Sequence, residues 1–142
     1  MKLATDNLAR CIKTLESSLT MLEKADPEST EFEIYRNAVV KGYELSLETS
    51  GKLLRKALKQ FMGAPGAIDG MPFKEVLRQS LKHGLFQDME TVERWFDYRD
   101  NRNDTAHDYG IGFARDTLAL LPHFLEDVRA LEKILREKLG NA

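Results

Sequence analysis

The sequence predicts an all-α protein: an antiparallel bundle of four to five helices running up and down. Three observations carry this reading. Apolar residues recur at helical spacing along most of the chain, no stretch alternates with period two over a useful length, and the connections between periodic segments are short. With 142 residues the chain can bury one real core, so residues 1–142 are read as one domain.

The first helix is drawn by Leu8, Ile12, Leu15, Leu19 and Leu22 and closed by Ala25-Asp26-Pro27. A second starts at Thr30, with Glu33 completing a capping box. It keeps Ile34, Tyr35, Ala38, Leu45, Leu53, Leu54, Leu58 and Phe61 in helical spacing as far as Met62. Gly42 and Gly51 inside it each cost about 1 kcal/mol against alanine, so close helix contact or a bend must compensate. Gly63-Ala64-Pro65-Gly66 ends this helix, and the stretch to Met71 has turn composition.

A short third helix has Pro72 in its first turn, Phe73, Val76, Leu77 and Leu81 inward, and Gly84 as its cap. Asp88 caps a fourth, whose inner face begins with Met89, Val92, Trp95 and Phe96. The last helix runs from about Asp116 to Leu139, with Leu121, Leu125, Val128, Leu135 and Leu139 inward. Pro122 marks either its true start or a kink.

Composition narrows the classes of function. Apolar residues make up 42% and charged residues 31%, as in a soluble globular protein. No run approaches the roughly 18 apolar residues of a membrane span, and the start Met1-Lys2-Leu3-Ala4-Thr5-Asp6 lacks a secretory core. Cys11 is the one cysteine, which excludes an intramolecular disulfide. These features point to the cytoplasm and away from membranes. The formal charge of -2 gives no global attraction for nucleic acid, so any RNA contact needs a local basic patch, within one chain or built across an oligomer.

Helix packing does not account for one stretch, Asp97-Tyr98-Arg99-Asp100-Asn101-Arg102-Asn103-Asp104-Thr105-Ala106-His107-Asp108-Tyr109-Gly110. On a helix, Trp95, Arg99, Arg102 and Ala106 form one stripe, and Phe96, Asp100, Asn103 and His107 the next. Arg102 and His107 lie five apart, about 140° around the axis, so they converge only if the helix end unwinds or a second copy joins in. A guanidinium beside an imidazole suits a phosphodiester: Arg102 can clamp the phosphate and stabilise charge, and His107 can take or give a proton near neutral pH. The Tyr109 hydroxyl would sit near the same surface. His83, His107 and His123 lack metal-ligand spacing, so neither metal nor cofactor is expected. The spacing alone fits a solvated, charged helix end equally well.

In the second helix, Glu44 and Glu48 share a face, and Glu48 with Lys52 has the favourable i,i+4 order. Solvated surface accounts for these carboxylates, while the sharper alternative points Glu44 into an inter-helix groove near the polar stretch. Tyr43 and Trp95 are read as core or interface.

Arg102-Asn103-Asp104-Thr105-Ala106-His107-Asp108-Tyr109 resembles the Arg-x4-His-x-Tyr signature of HEPN-domain proteins. The chain is more narrowly similar to the nucleotidyltransferase substrate-binding proteins, a group like the HepT toxins. Arg36-Asn37-Ala38, Tyr43-Glu44-Leu45-Ser46-Leu47-Glu48 and Lys52-Leu53-Leu54 in the long helix add to the likeness, with Phe73-Lys74-Glu75-Val76-Leu77 and Trp95-Phe96. The resemblance implies a HEPN-like bundle that dimerises, with each copy's motif facing the other across a two-fold. It implies a minimal nucleotidyltransferase as partner. Arg102 and His107 would be the catalytic pair of a metal-independent RNase, and Tyr109 the tyrosine that receives AMP. Asn103, Asp100 and Glu44 would be supporting polar groups. Another reading of the same family makes the chain a non-catalytic subunit that binds substrate for the transferase. Asp104 and Asp108 flank His107, and carboxylates there favour its imidazolium while repelling phosphate.

Overall fold

The computed structural model describes residues 3–104 and 111–140, apart from the side chains of Asn103, Asp104 and Ile111. Its described residues form α1 (Asp6–Lys24), α2 (Thr30–Met62), α3 (Pro65–Asp69), α4 (Phe73–Lys82), α5 (Met89–Asp104) and α6 (Ile111–Leu135), closed by a π-helical segment, Arg136–Gly140. The all-α bundle expected from the sequence is what forms. Its helices pack mostly up and down, with α2 at the centre, touching each of the other five.

Leu8, Ile12, Leu15 and Leu22 bury one face of α1 as their spacing requires. The turn after it is made by side chains: Asp26 Oδ1 accepts the Glu28 N–H at 3.0 Å and the Ser29 hydroxyl donates to the Asp26 carbonyl at 2.6 Å. Ser29, rather than Thr30, caps α2, accepting the Phe32 N–H at 3.1 Å, and Glu33 turns instead to Arg36 at 4.0 Å. The expected capping box is therefore replaced by a single cap one residue earlier.

The buried face of α2 differs from the one that large apolar residues suggest. Ile34, Leu45 and Phe61 are 57%, 42% and 39% exposed, whereas Gly42, Ser46 and Ser50 lie inside. The reason is a close approach to α1. A Cβ on Gly42 would stand 3.1 Å from Leu15 Cδ1 and 3.3 Å from its Cβ. Gly51 similarly makes room for the Phe73 ring, 3.1 Å from where its Cβ would be. Close contact, one of the two expected compensations, therefore explains both glycines.

The stretch read as a turn contains α3, with Pro65 in its first turn and Ile68 fully buried. Arg55 of α2 binds it, one Nη1 donating to the carbonyls of Ile68 and Met71 at 2.8 Å each. After α4 the chain turns in a left-handed Gly84 (φ 78°). Gly84 N–H bonds to Leu81 O and Leu85 N–H to Ser80 O, the paired bonds of a Schellman end. Asp88 caps α5 as expected, taking the Thr91 N–H at 2.9 Å. Met89 is 40% exposed rather than inward; the buried face of α5 starts at Val92. The last helix begins at Ile111, five residues before the expected start, and continues through Pro122.

Where α2, α5 and α6 meet, the core is aromatic. Trp95, Tyr43, Tyr98 and Phe124 are fully buried, with Tyr98 edge-on to Phe124 at 5.0 Å and Tyr43 tilted against it at 4.8 Å. Tyr43 and Trp95 are thus core residues.

Candidate functional site

The polar stretch begins on a firmly anchored helix. Tyr98 sits at its base, 1% exposed, its hydroxyl donating to Asp127 Oδ2 of α6 at 2.5 Å. Arg94, one turn earlier, forks onto the same carboxylate, Nε to Oδ2 and Nη2 to Oδ1, both at 2.8 Å. Burial, and then the bond to Asp127, raise the Tyr98 phenol far above its ordinary value. The same carboxylate strengthens the Arg94 cation. Among the described residues this is the most buried carboxylate, and it fixes α5 on α6.

From the other side, the Tyr43 hydroxyl of α2 donates to the Tyr98 carbonyl at 2.7 Å. Burial pushes the Tyr43 phenol up to about 12, partly offset by a hydrogen bond from Asn101 and the positive charge of Arg102. Asn101 also donates to the Thr117 hydroxyl of α6 at 3.1 Å. The last turns of α5 are therefore bonded to both α2 and α6, and Arg102, partly buried with its Nε enclosed, lies on them.

A guanidinium cluster surrounds this end. Arg99 lies over the Phe73 ring, its Cζ 5.1 Å from the centroid. Burial, then the charges of Arg102 and Arg55, make Arg99 easier to deprotonate than a free arginine. Asp100 turns to α4, 3.5 Å from Lys74 Nζ. Glu44, with Arg36, Asn37 and Lys41, lines a cleft of about 330 Å³ whose far wall is Phe113 and Ala114 of α6. Glu44 thus lines an inter-helix groove whose α6 wall, Phe113 and Ala114, follows the polar stretch in sequence. Glu48 is solvated and pairs with Lys52 at 3.4 Å. Among the described residues no three His, Cys, Asp or Glu side chains are grouped to hold a metal ion. His107 and Tyr109 lie outside the described residues, and Asn103 is described only in its backbone.

Several participants were not singled out from the sequence. Asp127 is one, although it sits three after Phe124 and four before Leu131, on the inward face of α6, which is the signal that could have found it. Arg99 and Asn101 lay in the polar stretch without an assigned role and Thr117 carried no signal, because their roles depend on which helices meet.

The described residues thus form an all-α bundle with Arg99 and Arg102 near the end of α5 and Arg55 close by. The chain belongs to the family described as nucleotidyltransferase substrate binding protein like, whose model matches residues 5–137. It is similar to a Haemophilus influenzae protein named Probable ribonuclease HepT, 28% identical over 141 residues, covering 96% of this chain and 94% of that one. It superposes on a Haemophilus influenzae structure described as the fold of a substrate binding domain of a nucleotidyltransferase, with a TM-score of 0.81 at 26% identity, covering 94% of this chain and 99% of the other. A Thermus thermophilus structure matches with a TM-score of 0.67 at 25% identity, over 89% of this chain and 98% of its own. No helix among the described residues is long and apolar enough to cross a membrane.

Proposed function

We propose that this chain is a HepT-like ribonuclease that works as a homodimer with a minimal nucleotidyltransferase, and that the transferase silences it. The observation that carries this is the anchoring of Arg102: two hydrogen-bonded attachments, through Tyr43 and Asn101, hold the turn on which it lies. Such preorganisation is what a phosphate clamp requires. In the proposed reaction His107 removes the proton of a ribose 2′-hydroxyl, and the 2′-oxygen attacks the adjacent phosphorus. The bond to the 5′-oxygen breaks, that oxygen takes a proton, and a 2′,3′-cyclic phosphate and a 5′-hydroxyl remain. Arg102 stabilises the negative charge that builds on the phosphoryl oxygens. A second copy completes the site across a two-fold. In silencing, the Tyr109 oxygen attacks the α-phosphorus of ATP, pyrophosphate leaves, and AMP stays on the tyrosine.

Purified protein in excess EDTA is expected to cleave RNA, and His107→Ala and Arg102→Ala to abolish cleavage. Full cleavage by His107→Ala would remove this mechanism. With the transferase and ATP, intact-mass measurement is expected to add AMP to the wild type and not to Tyr109→Phe.

The cleft lined by Arg36, Lys41, Asn37 and Glu44 favours a second reading, a non-catalytic subunit that binds a nucleotide for the transferase. Calorimetric titration with ATP separates the two: binding lost in Arg36→Gln/Lys41→Gln, with no RNA cleavage by the wild type, supports the subunit.

A further inference from the structure

The surface of α5 that faces α4 is cationic and continues away from Arg102. Phe96, Arg99 and Arg102 follow one another at three-residue steps, each about 4.5 Å along the helix axis. Arg99 lies over Phe73, its Cζ 5.1 Å from the centroid, and Phe73 is itself wedged against Gly51 of α2. One further step along, Lys74 Nζ and Arg78 Cζ stand 5.4 and 5.3 Å from the Phe96 centroid. Two aromatic rings therefore hold three cations in a row that leads to Arg102. Arg55 adds a fourth positive charge beneath Arg99, its Nη1 bonded to two backbone carbonyls.

Charge balance along this row is uneven. Neither Arg99 nor Arg55 has a carboxylate partner among the described residues, and Arg99 feels the positive charges of Arg102 and Arg55. Lys74 and Arg78 do meet carboxylates, Asp100 at 3.5 Å and Glu75 at 3.3 Å. Those pairs are half-exposed, with Lys74 47% and Arg78 50% accessible, and exposed pairs yield readily to a better anion. Like charges held together without a counter-ion call for an external one. The step along α5 is on the scale of the charge spacing of a nucleic-acid strand, about 3.4 Å per phosphate in a duplex and longer when extended. A guanidinium held over a ring, as Arg99 is over Phe73, suits the two-pronged binding of phosphate oxygens. The chain as a whole has a net charge of -2, so a strand would find its attraction here rather than over the whole surface.

We propose that single-stranded RNA reaching Arg102 runs down α5, with successive phosphates meeting Arg99 and then Lys74 and Arg78. This rests on the ribonuclease reading and assigns it a substrate path. The row lies across α5 from the Glu44 cleft of α2 and α6, and it requires none of that cleft's residues.

The test measures binding of a short fluorescent single-stranded oligoribonucleotide to the full-length His107→Ala protein, which leaves the strand intact. Adding Arg99→Gln, Lys74→Gln and Arg78→Gln is expected to weaken binding at least tenfold. It should also reduce the slope of log Kd against log salt by about 2, since each phosphate contact on a single strand contributes about 0.7. Arg10→Gln/Lys56→Gln, on the α1–α2 side, should leave that slope unchanged. Far-ultraviolet circular dichroism confirms folding, and the exposed pair Lys74→Gln/Arg78→Gln alone provides a variant that perturbs no buried group. Unchanged affinity and slope in the triple variant would overturn the path and leave the ribonuclease reading standing. Failure of the His107→Ala protein to bind any RNA would overturn both. Retained RNA binding with lost association to the transferase would assign the row to the protein partner and overturn the path.

Discussion

The Tyr43 hydroxyl donates to the Tyr98 carbonyl at 2.7 Å, the same carbonyl that helical register pairs with the Arg102 N–H. One acceptor thus joins α2 to the turn that carries the candidate clamp. In Tyr43→Phe the carbonyl keeps its helical donor, so the loss is that of the bond to it and of the one from Asn101, about 1–3 kcal/mol. Urea unfolding of the two proteins measures it.

Alkaline pH should act through the same phenol. Tyr43 ionises at about 12 when folded, against about 10 in an unfolded chain. Its stabilising effect is complete below about pH 10 and is lost as pH rises from there to about 12, because the unfolded state gives up its proton first. Tyr98 is raised in the same direction, so the two together should steepen the loss to about 2.7 kcal/mol per pH unit. Tyr43→Phe should halve that slope in unfolding midpoints measured from about pH 10 to 12.

Asp127 accepts from Arg94 and Tyr98 while only 8% exposed. Arg94→Ala leaves its carboxylate buried with the tyrosine alone and should cost about 3 kcal/mol, as when one partner of a buried pair is removed. Arg94→Ala/Asp127→Ala should cost less than the two single changes added together. A double-mutant cycle on thermal unfolding reads the difference.

Gly42 and Gly51 should respond unequally to alanine. Replacing either gains about 1 kcal/mol of helix propensity. At Gly42 the new methyl meets Leu15 Cδ1, Cβ and Cα within 3.4 Å, including backbone that cannot rotate away. Gly42→Ala should therefore destabilise by about 1–3 kcal/mol net. At Gly51 only the Phe73 ring approaches within 3.4 Å, so Gly51→Ala should stay within about 1 kcal/mol of wild type. Paired melting curves measure the two differences.

Arg102→Lys separates charge from geometry at the proposed clamp. A lysine keeps the positive charge and loses the two-pronged donor, so RNA cleavage should fall roughly 10- to 100-fold with the fold intact. Single-turnover rates on one RNA substrate give the ratio.

Large side chains made most of the architecture readable. The Leu8–Leu22 stripe, the Asp88 cap and the Gly84 end each have a local cause that needs no knowledge of neighbours. What escaped depends on partners. Leu45 looks buried by composition, but the face beside it wins because Gly42, Ser46 and Ser50 let α1 approach closely. The five residues of α3 are too few for a periodic signal, and Ile68 gains its burial from α2. Of the candidate site, Arg102 was legible as a residue, while Tyr43, Asn101 and Thr117 became its supports only once three helices were packed together.

The Leu3 N–H bonds to the Leu139 carbonyl at 2.9 Å, and the Thr5 hydroxyl donates to Glu132 at 2.8 Å. Residues more than a hundred positions apart are thus stitched into one edge, and the fold is close to a closed ring. A circular permutant, its ends joined by a short glycine linker and reopened in the Asp26–Ser29 turn, should keep the same bundle. It would carry fused reporters at the foot of α2 instead, moving them from the α1–α6 edge without touching the turn that holds Arg102.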